Sequence, residues 1–330
     1  MREVAERVGV SIQTVSAVIN DKPGITNETR ARVLAAVAEM GYRPYSIARS
    51  LRTGQTCTLA LIVPDIANPF CATLASVAED YAHRFGYNLT VHNTHNELER
   101  ERKHLESLAQ RWTDGVLFLA AEDRISGLEV LSAAGIPAVA VDHIPENYGG
   151  PAVTIDNVKA GRIAAEHLLE LGHTRIAHIT GPLRLSLGRE RLAGFRQAIE
   201  SRGLEPCGVS SGKDDWRCAS GYEAMRHLLV RRPVPTAVFA ANDRMAIGAM
   251  SAIYEAGLRI PEDISIVGLD NIEIAAFQIP PLTTVSQSFA EIATRALQIL
   301  LKLIEKDGPD QPRVVIDPIL IVRKSTAPPP

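Results

Sequence analysis

Carboxylates and an amide recur at one kind of place in this chain. Asp65 follows Ile62-Val63, Asp142 follows Val139-Ala140-Val141, Asn242-Asp243 follows Phe239-Ala240-Ala241, and Asp270 follows Ile266-Val267-Gly268-Leu269. Each sits just beyond a short apolar run of the kind that forms a buried strand. In open α/β sheets, small ligands bind beyond the carboxyl ends of the strands. Together with Arg191 and the loop 181–188 that follows Ile179-Thr180, these groups suit a hydroxyl-rich ligand held by planar side-chain forks. Each Asp also stands at a strand-to-helix turn, where capping the next helix is the competing role. Recurrence at the same edge is what favours the ligand. Asp142 and Asp270 could act as acid and base, but nothing else supports a reaction, and the chain does not read as an enzyme. His92, His95 and His104 lack a metal-ligand frame and read as solvated surface.

A second set of groups lies in the first fifty residues. Val4, Ala5 and Val8 share one face of a helix over 2–8, Gly9-Val10 turns the chain, and Ser11 can cap a second helix. In that second helix Val15, Val18 and Ile19 face inward, leaving Ile12, Gln13, Ser16 and Ala17 on or near the outer face. Asp21-Lys22-Pro23-Gly24 forms a loop. Thr26 or Asn27 then caps a third helix, expected to bury Val33, Leu34, Val37 and Met40 and to stop at Gly41. This is helix-turn-helix geometry, whose second helix enters the DNA major groove. Periodicity alone suits a plain three-helix module equally well.

The elements that must carry the first set alternate from residue 58 onward. Residues 59–63 read as a strand, a helix follows Pro69, and 89–92, 116–119 and 139–141 are further strands separated by helical stretches. A second series starts near Asp156: a helix to 171, strand 175–179, a helix across 191–202 and a helix across 219–230. Strand 238–240, helix 243–256 and strand 264–267 complete it. The alternation argues for parallel sheets. No Gly-x-Gly-x-x-Gly follows the first strand, which disfavours a dinucleotide fold.

At 330 residues the chain has room for two or three domains. Residues 1–54 hold eight Lys/Arg against five Asp/Glu, a net +3, so an overall charge of −3 leaves −6 on the remainder. A cationic head on an anionic body fits nucleic-acid contact through the head alone. No apolar run approaches the roughly 18 residues of a membrane span, and Met1-Arg2-Glu3 does not open a signal peptide. A cytoplasmic location is therefore expected. Cys57, Cys71, Cys207 and Cys218 are scattered without metal or redox spacing and read as reduced thiols.

Val8-Gly9-Val10-Ser11, Thr14-Val15-Ser16, Gly41-Tyr42-Arg43-Pro44 and Ala48-Arg49-Ser50-Leu51-Arg52 closely resemble the lactose/galactose-repressor (LacI) family of bacterial regulators. So do Gly181-Pro182 with Arg191-Leu192-Ala193-Gly194-Phe195, Ala241-Asn242-Asp243, Gly268-Leu269-Asp270-Asn271 and Pro281-Leu282-Thr283-Thr284. The resemblance spans essentially the whole chain. It implies an N-terminal all-α helix-turn-helix head over 1–44, a hinge helix and linker over 45–56, and an α/β periplasmic-binding-protein-like body over 57–330. That body would have two parallel-sheet lobes, about 57–154 with 286–316 and about 155–284 with 318–330. Crossovers would lie near 154–156, 284–285 and 317–318.

For DNA, the resemblance assigns base reading to Ile12 and Gln13, with Gln13 suited to bidentate pairing with adenine and Ile12 to a thymine methyl. Ser11, Thr14, Ser16, Asn20, Thr26 and Tyr42 match phosphate-contacting positions, and Leu51 matches the hinge residue that wedges into the minor groove. Ala17 stands where the family usually has Arg, which removes a guanine-reading fork. Tyr45 replaces the Asn that caps the hinge, with Ser46 one residue later. The chain begins about five residues late, which would leave helix one uncapped; a misassigned start codon is the simplest explanation.

For the effector, the matching positions are Phe70, Asp142, Arg191, Trp216, Asn242, Asp270 and Gln287, beside Asp65 from the strand-end reading. Leu185 and Leu187 occupy loop positions that are often polar, implying an apolar wall. The function implied is a homodimeric repressor on near-palindromic double-stranded operator DNA, controlled by a small molecule, by default a sugar or derivative. A purine or another metabolite is the alternative ligand. A periplasmic-type sugar-binding protein is the alternative class, disfavoured by the basic head. No leucine heptad tail follows, so a dimer rather than a tetramer is expected. No cofactor, metal or membrane partner is implied.

Overall fold

The computed structural model describes residues 1–42, 55–110, 113–306 and 312–330. It divides into two compact units, Met1–Cys57 and Thr58–Pro330.

In the first unit α1 (Arg2–Val8), α2 (Ile12–Ile19) and α3 (Asn27–Glu39) enclose a small core of Val4, Ala5, Val8, Val15, Val18, Val33 and Ala36. Gly9 takes a left-handed φ of 71°, which lets the chain reverse direction within three residues. Ser11 Oγ accepts from the Thr14 amide at 3.0 Å and Thr26 Oγ1 from the Thr29 amide at 3.3 Å, so α2 and α3 are both hydroxyl-capped. Met1 precedes α1 without a side-chain cap. An Arg7–Glu39 pair at 2.9 Å ties α1 to α3. Leu34 and Met40 depart from expectation, at 49% and 39% exposure. The inward stripe is Val33, Ala36 and Val37; Leu34 is one residue off it, and Met40 is the C-cap beyond the last turn.

The second unit holds two six-stranded sheets. β1 (Thr58–Val63), β2 (Asn88–Asn93), β3 (Gly115–Phe118), β4 (Ala138–Val141), β5 (Ala152–Ile155) and β11 (Arg313–Ile316) form the first, in the order β11-β5-β4-β3-β1-β2 and all parallel. β6 (Ile176–Ile179), β7 (Gly208–Ser210), β8 (Ala237–Ala240), β9 (Ser265–Asp270), β10 (Thr283–Ser286) and β12 (Ile319–Ile321) form the second. Its order is β12-β10-β9-β8-β6-β7, parallel except at β12. The helices are α4 (Pro69–Arg84), α5 (Leu98–Leu108), α6 (Leu128–Ala133), α7 (Asn157–Glu170), α8 (Ser186–Ser201), α9 (Cys218–Leu229), α10 (Asp243–Glu255) and α11 (Phe289–Ile304).

The chain passes between sheets at Asp156, between β10 and α11 at Gln287–Ser288, and at Asp317–Pro318. The middle passage falls beyond the expected 284–285 because β10 stays paired as far as Ser286, with Asp270 on one side and Ile319 on the other. Two helix pairs in the second lobe pack at backbone distance. A Cβ on Gly161 would lie 2.0 Å from the Arg191 carbonyl and one on Gly194 1.8 Å from the Val158 carbonyl, locking α7 to α8. Gly221 and Gly248 do the same for α9 and α10, against the Met245 and Cys218 carbonyls at 2.0 and 1.8 Å. Only a residue without a side chain permits that approach.

Candidate functional site: a cleft between two sheets

A cavity enclosing about 560 Å³, part of it open to solvent, lies where the carboxyl ends of both sheets converge. The first lobe supplies Pro64 after β1, Phe70 and Cys71 of α4, Leu119–Ala121 after β3, and Asp142-His143 after β4. The second supplies Leu185, Leu187, Arg191, Trp216, Asn242 and Asp270, with Gln287 at the crossover.

Nine of the ten expected effector residues therefore meet: Phe70, Asp142, Leu185, Leu187, Arg191, Trp216, Asn242, Asp270 and Gln287. Asp65 does not line the cavity. Its carboxylate accepts from the Ala67 amide at 3.1 Å and pairs with Arg244 of the other lobe at 3.4 Å. α8 begins at Ser186, five residues before the expected start, so Leu187 and Arg191 sit on a helix and only Leu185 precedes it.

The planar groups are held by one another. Arg191 donates from Nε to Asn157 Oδ1 (2.9 Å) and from Nη1 to the Ala241 carbonyl (2.8 Å), with its guanidinium 5.3 Å from the centre of the Trp216 ring. That ring leans on Gly181, where a Cβ would meet it at 2.1 Å. Asn242 caps α10 by accepting from the Met245 amide (2.8 Å) and donates to the Trp216 carbonyl (3.2 Å). Gln287 Nε2 donates to Asp270 Oδ1 at 2.5 Å. Phe70 packs edge-on against Phe289, 5.3 Å between centroids.

Asp142 and Asp270 cap no helix. Both sit at positive φ, 64° and 124°, which costs a non-glycine residue on the order of 1–3 kcal/mol and clusters at functional sites. Burial holds the Asp142 carboxyl above its ordinary range against the pull of Arg191 and His143. Burial raises Asp270 well above its range too, opposed by Arg191 and reinforced by Asp243 and Asp142. Asp243, behind the wall, is pushed up to about 6 by burial, while Thr284 Oγ1 donates to it at 2.6 Å and the Ile272 amide at 2.9 Å. Asp142 Oδ1 and Gln287 Oε1 are buried acceptors with no protein partner.

His143, Cys71 and the 119–121 backbone escaped the sequence reading; adjacency to Asp142 was the available signal for His143. Gly208-Val209-Ser210-Ser211-Gly212 carries the spacing of a hydrolase nucleophile elbow. Ser210, however, ends edge strand β7, which runs into a turn rather than a helix. Among the described residues no group of three side chains could hold a metal ion, and no helix is long and apolar enough to cross a membrane.

In the head, Ser11, Ile12, Gln13 and Thr26 are exposed, with Ile12 at 48%, while Thr14, Ser16, Ala17, Asn20 and Tyr42 are half-buried. Ser11 and Thr14 hydroxyls share a 2.9 Å hydrogen bond, and Asn20 Nδ2 donates to the Ser16 carbonyl at 2.5 Å. Leu51 and residues 43–54 around it lie outside the described residues.

Residues 1–45 match the family of bacterial regulatory proteins of the lacI type, and 165–326 match the periplasmic binding protein-like domain. The chain is 37% identical over 328 residues to the HTH-type transcriptional repressor PurR of Pasteurella multocida (strain Pm70), covering 98% of both. It is 36% identical over 326 residues to the ribose operon repressor of Escherichia coli (strain K12), covering 98% of this chain and 99% of that one. Among solved structures, the lac repressor dimer bound to operator and the anti-inducer ONPF superposes with a TM-score of 0.89 at 31% identity over 98% of both chains. A LacI-family regulator from Enterococcus faecium with bound ribose does so at 0.74 and 30%, over 82% of this chain and 99% of that one. With a capped two-helix reading unit at one end and a strand-end cleft in the other unit, this chain belongs to the lacI family of bacterial regulatory proteins.

Proposed function

We propose that this protein is a homodimeric transcriptional repressor whose hold on operator DNA is set by a neutral, hydroxyl-rich molecule, a sugar, bound in the cleft. The observation that carries the ligand class is the surplus of acceptors. Asp142 Oδ1 and Gln287 Oε1 are buried and unpaired, whereas Arg191, Asn242 and Gln287 already spend donors on protein groups. A site of that kind selects a ligand rich in O–H donors. Phe70 and Trp216 offer apolar faces to a ring. The ribose operon repressor and the ribose-bound regulator among its relatives make D-ribose the first compound to test.

On DNA, α2 lies in the major groove with Gln13 and Ile12 at base edges, while Ser11, Thr14, Ser16, Asn20, Thr26 and Tyr42 hold phosphates. Two heads occupy the half-sites of a near-palindromic operator, and the Leu51 wedge bends its centre. Dimerisation is supported by exposed apolar side chains on the second lobe, Phe277 at 71% and Ile279 at 85%.

The test is operator binding by full-length protein against a panel of pentoses, hexoses, their phosphates and purines. Release by a neutral sugar, lost with the matching deoxysugar, is expected. Response to purines or to sugar phosphates alone would overturn the ligand class. A Leu51→Ala protein that bends operator as before would remove the wedge.

A further inference from the structure

Across the cleft, every ion pair among the described residues that joins the two sheets' loops puts the acid in the first lobe and the base in the second. These pairs are Glu122–Arg184 (3.0 Å), Asp123–Arg189 (2.6 Å), Glu146–Arg189 (3.3 Å) and Asp65–Arg244 (3.4 Å). Asp123 stands apart, because it is nearly buried and accepts three hydrogen bonds. Oδ1 takes the Ser186 amide and His143 Nε2, both at 2.8 Å, and Oδ2 takes Arg189 Nη2.

Ser186 is the first residue of α8, and Leu185 at its N-cap offers no side-chain bond. A carboxylate from the opposite lobe therefore supplies the cap, at the positive end of the helix dipole. That helix carries Arg191 and Leu187 into the cavity. His143 closes the other side. Its Nδ1 faces the Ala120 carbonyl at 3.0 Å and its Nε2 faces Asp123, so both partners are acceptors. Asp142, Glu101 and Glu190 also act on this ring electrostatically, and Arg189 meets the same Asp123 carboxylate. Against the upward push of burial, the bonds from Ser186, Arg189 and His143 hold Asp123 below its ordinary range.

We propose that Asp123 is the positioning residue of the cleft: it caps α8 from across the lobes and holds the His143 ring with the same carboxylate, so that the Arg191 helix and the His143 wall are kept in register across the cleft. The proposal rests on the sugar-site reading of the cleft.

The test uses the full-length protein without any sugar, so failure of the sugar panel and failure of this proposal are separate results. Amide exchange in 186–190 should rise about tenfold in Asp123→Ala and less in Arg189→Gln, return toward wild type in Asp123→Glu, and stay unchanged at 195–201. Wild-type exchange at 186–190 in both Asp123→Ala and Arg189→Gln overturns the proposal. Should Asp123→Ala lose protection everywhere, the surface variant Arg189→Gln decides.

Discussion

On α2 the side chains offered to a partner come from one eight-residue helix and stand at the surface. In the cleft they come from residues 64 to 287, drawn from both sheets and mostly buried. Ile12 and Gln13 need only a correct helix and a cap. Asp142, Arg191 and Asp270 need two sheets, three crossovers and a helix pair packed at glycines. The first is a surface waiting for a rigid groove, and the second is a partly paired network waiting for a small molecule to complete it. The difference teaches that one chain can tolerate errors in the two sites very unequally.

The largest expected effect tests the body's dependence on close packing. Gly194→Ala should cost about 3 kcal/mol, because the new methyl meets the Val158 carbonyl, and lower the body's melting temperature by roughly 6–10 °C. Amide protection in α1–α3 should not change; a matching loss there would erase the contrast between the two units. Next, Asp270→Ala should weaken the sugar response about a hundredfold while operator affinity stays within about twofold, since a buried acceptor partner is lost without touching the head. Retained response would move the ligand away from Asp270.

The third expectation concerns pH. The Asp243 carboxyl is pushed up to about 6 by burial. From about pH 4 to about pH 6 the Asp243 carboxyl holds its proton more in the folded body than in the unfolded chain, so its contribution to stability falls as pH rises through that window, while His178, pushed down to about 4 by burial, works the other way. The Asp243 change is on the order of 2 kcal/mol, read as the difference in urea midpoint of the body transition between wild type and Asp243→Asn at the two ends of the window. A wild-type advantage over Asp243→Asn that grows as pH rises would contradict it. Smallest, Gln13→Ala should weaken cognate operator binding about tenfold and leave random-sequence binding alone. Equal losses on both would reassign Gln13 to phosphate.

The head was legible almost to the residue. Val4, Val8, Val15 and Val18 repeat at helical spacing, and Ser11 and Thr26 announce the caps that the structure shows. Leu34 and Met40 were misplaced because a hydrophobic residue beside a stripe, or at its end, looks like part of it. In the body, the strand-end groups Asp142, Asn242 and Asp270 could be picked out because each follows an apolar run. Asp65 follows such a run too, yet its carboxylate turns to Ala67 and Arg244. Nothing in the local sequence distinguishes these outcomes, since they depend on what the other lobe presents.

Local order along the chain decided which segments become helices and strands, where they are capped, and which side chains stand at strand ends, because those properties depend on neighbours within a few residues. Only the folded arrangement decided which strand-end groups share a cavity, that α8 is capped by Asp123 sixty-three residues away, and that His143 stands between Asp123 and the Ala120 carbonyl. These depend on pairings between distant segments, whose distances and burial exist only after both sheets have formed.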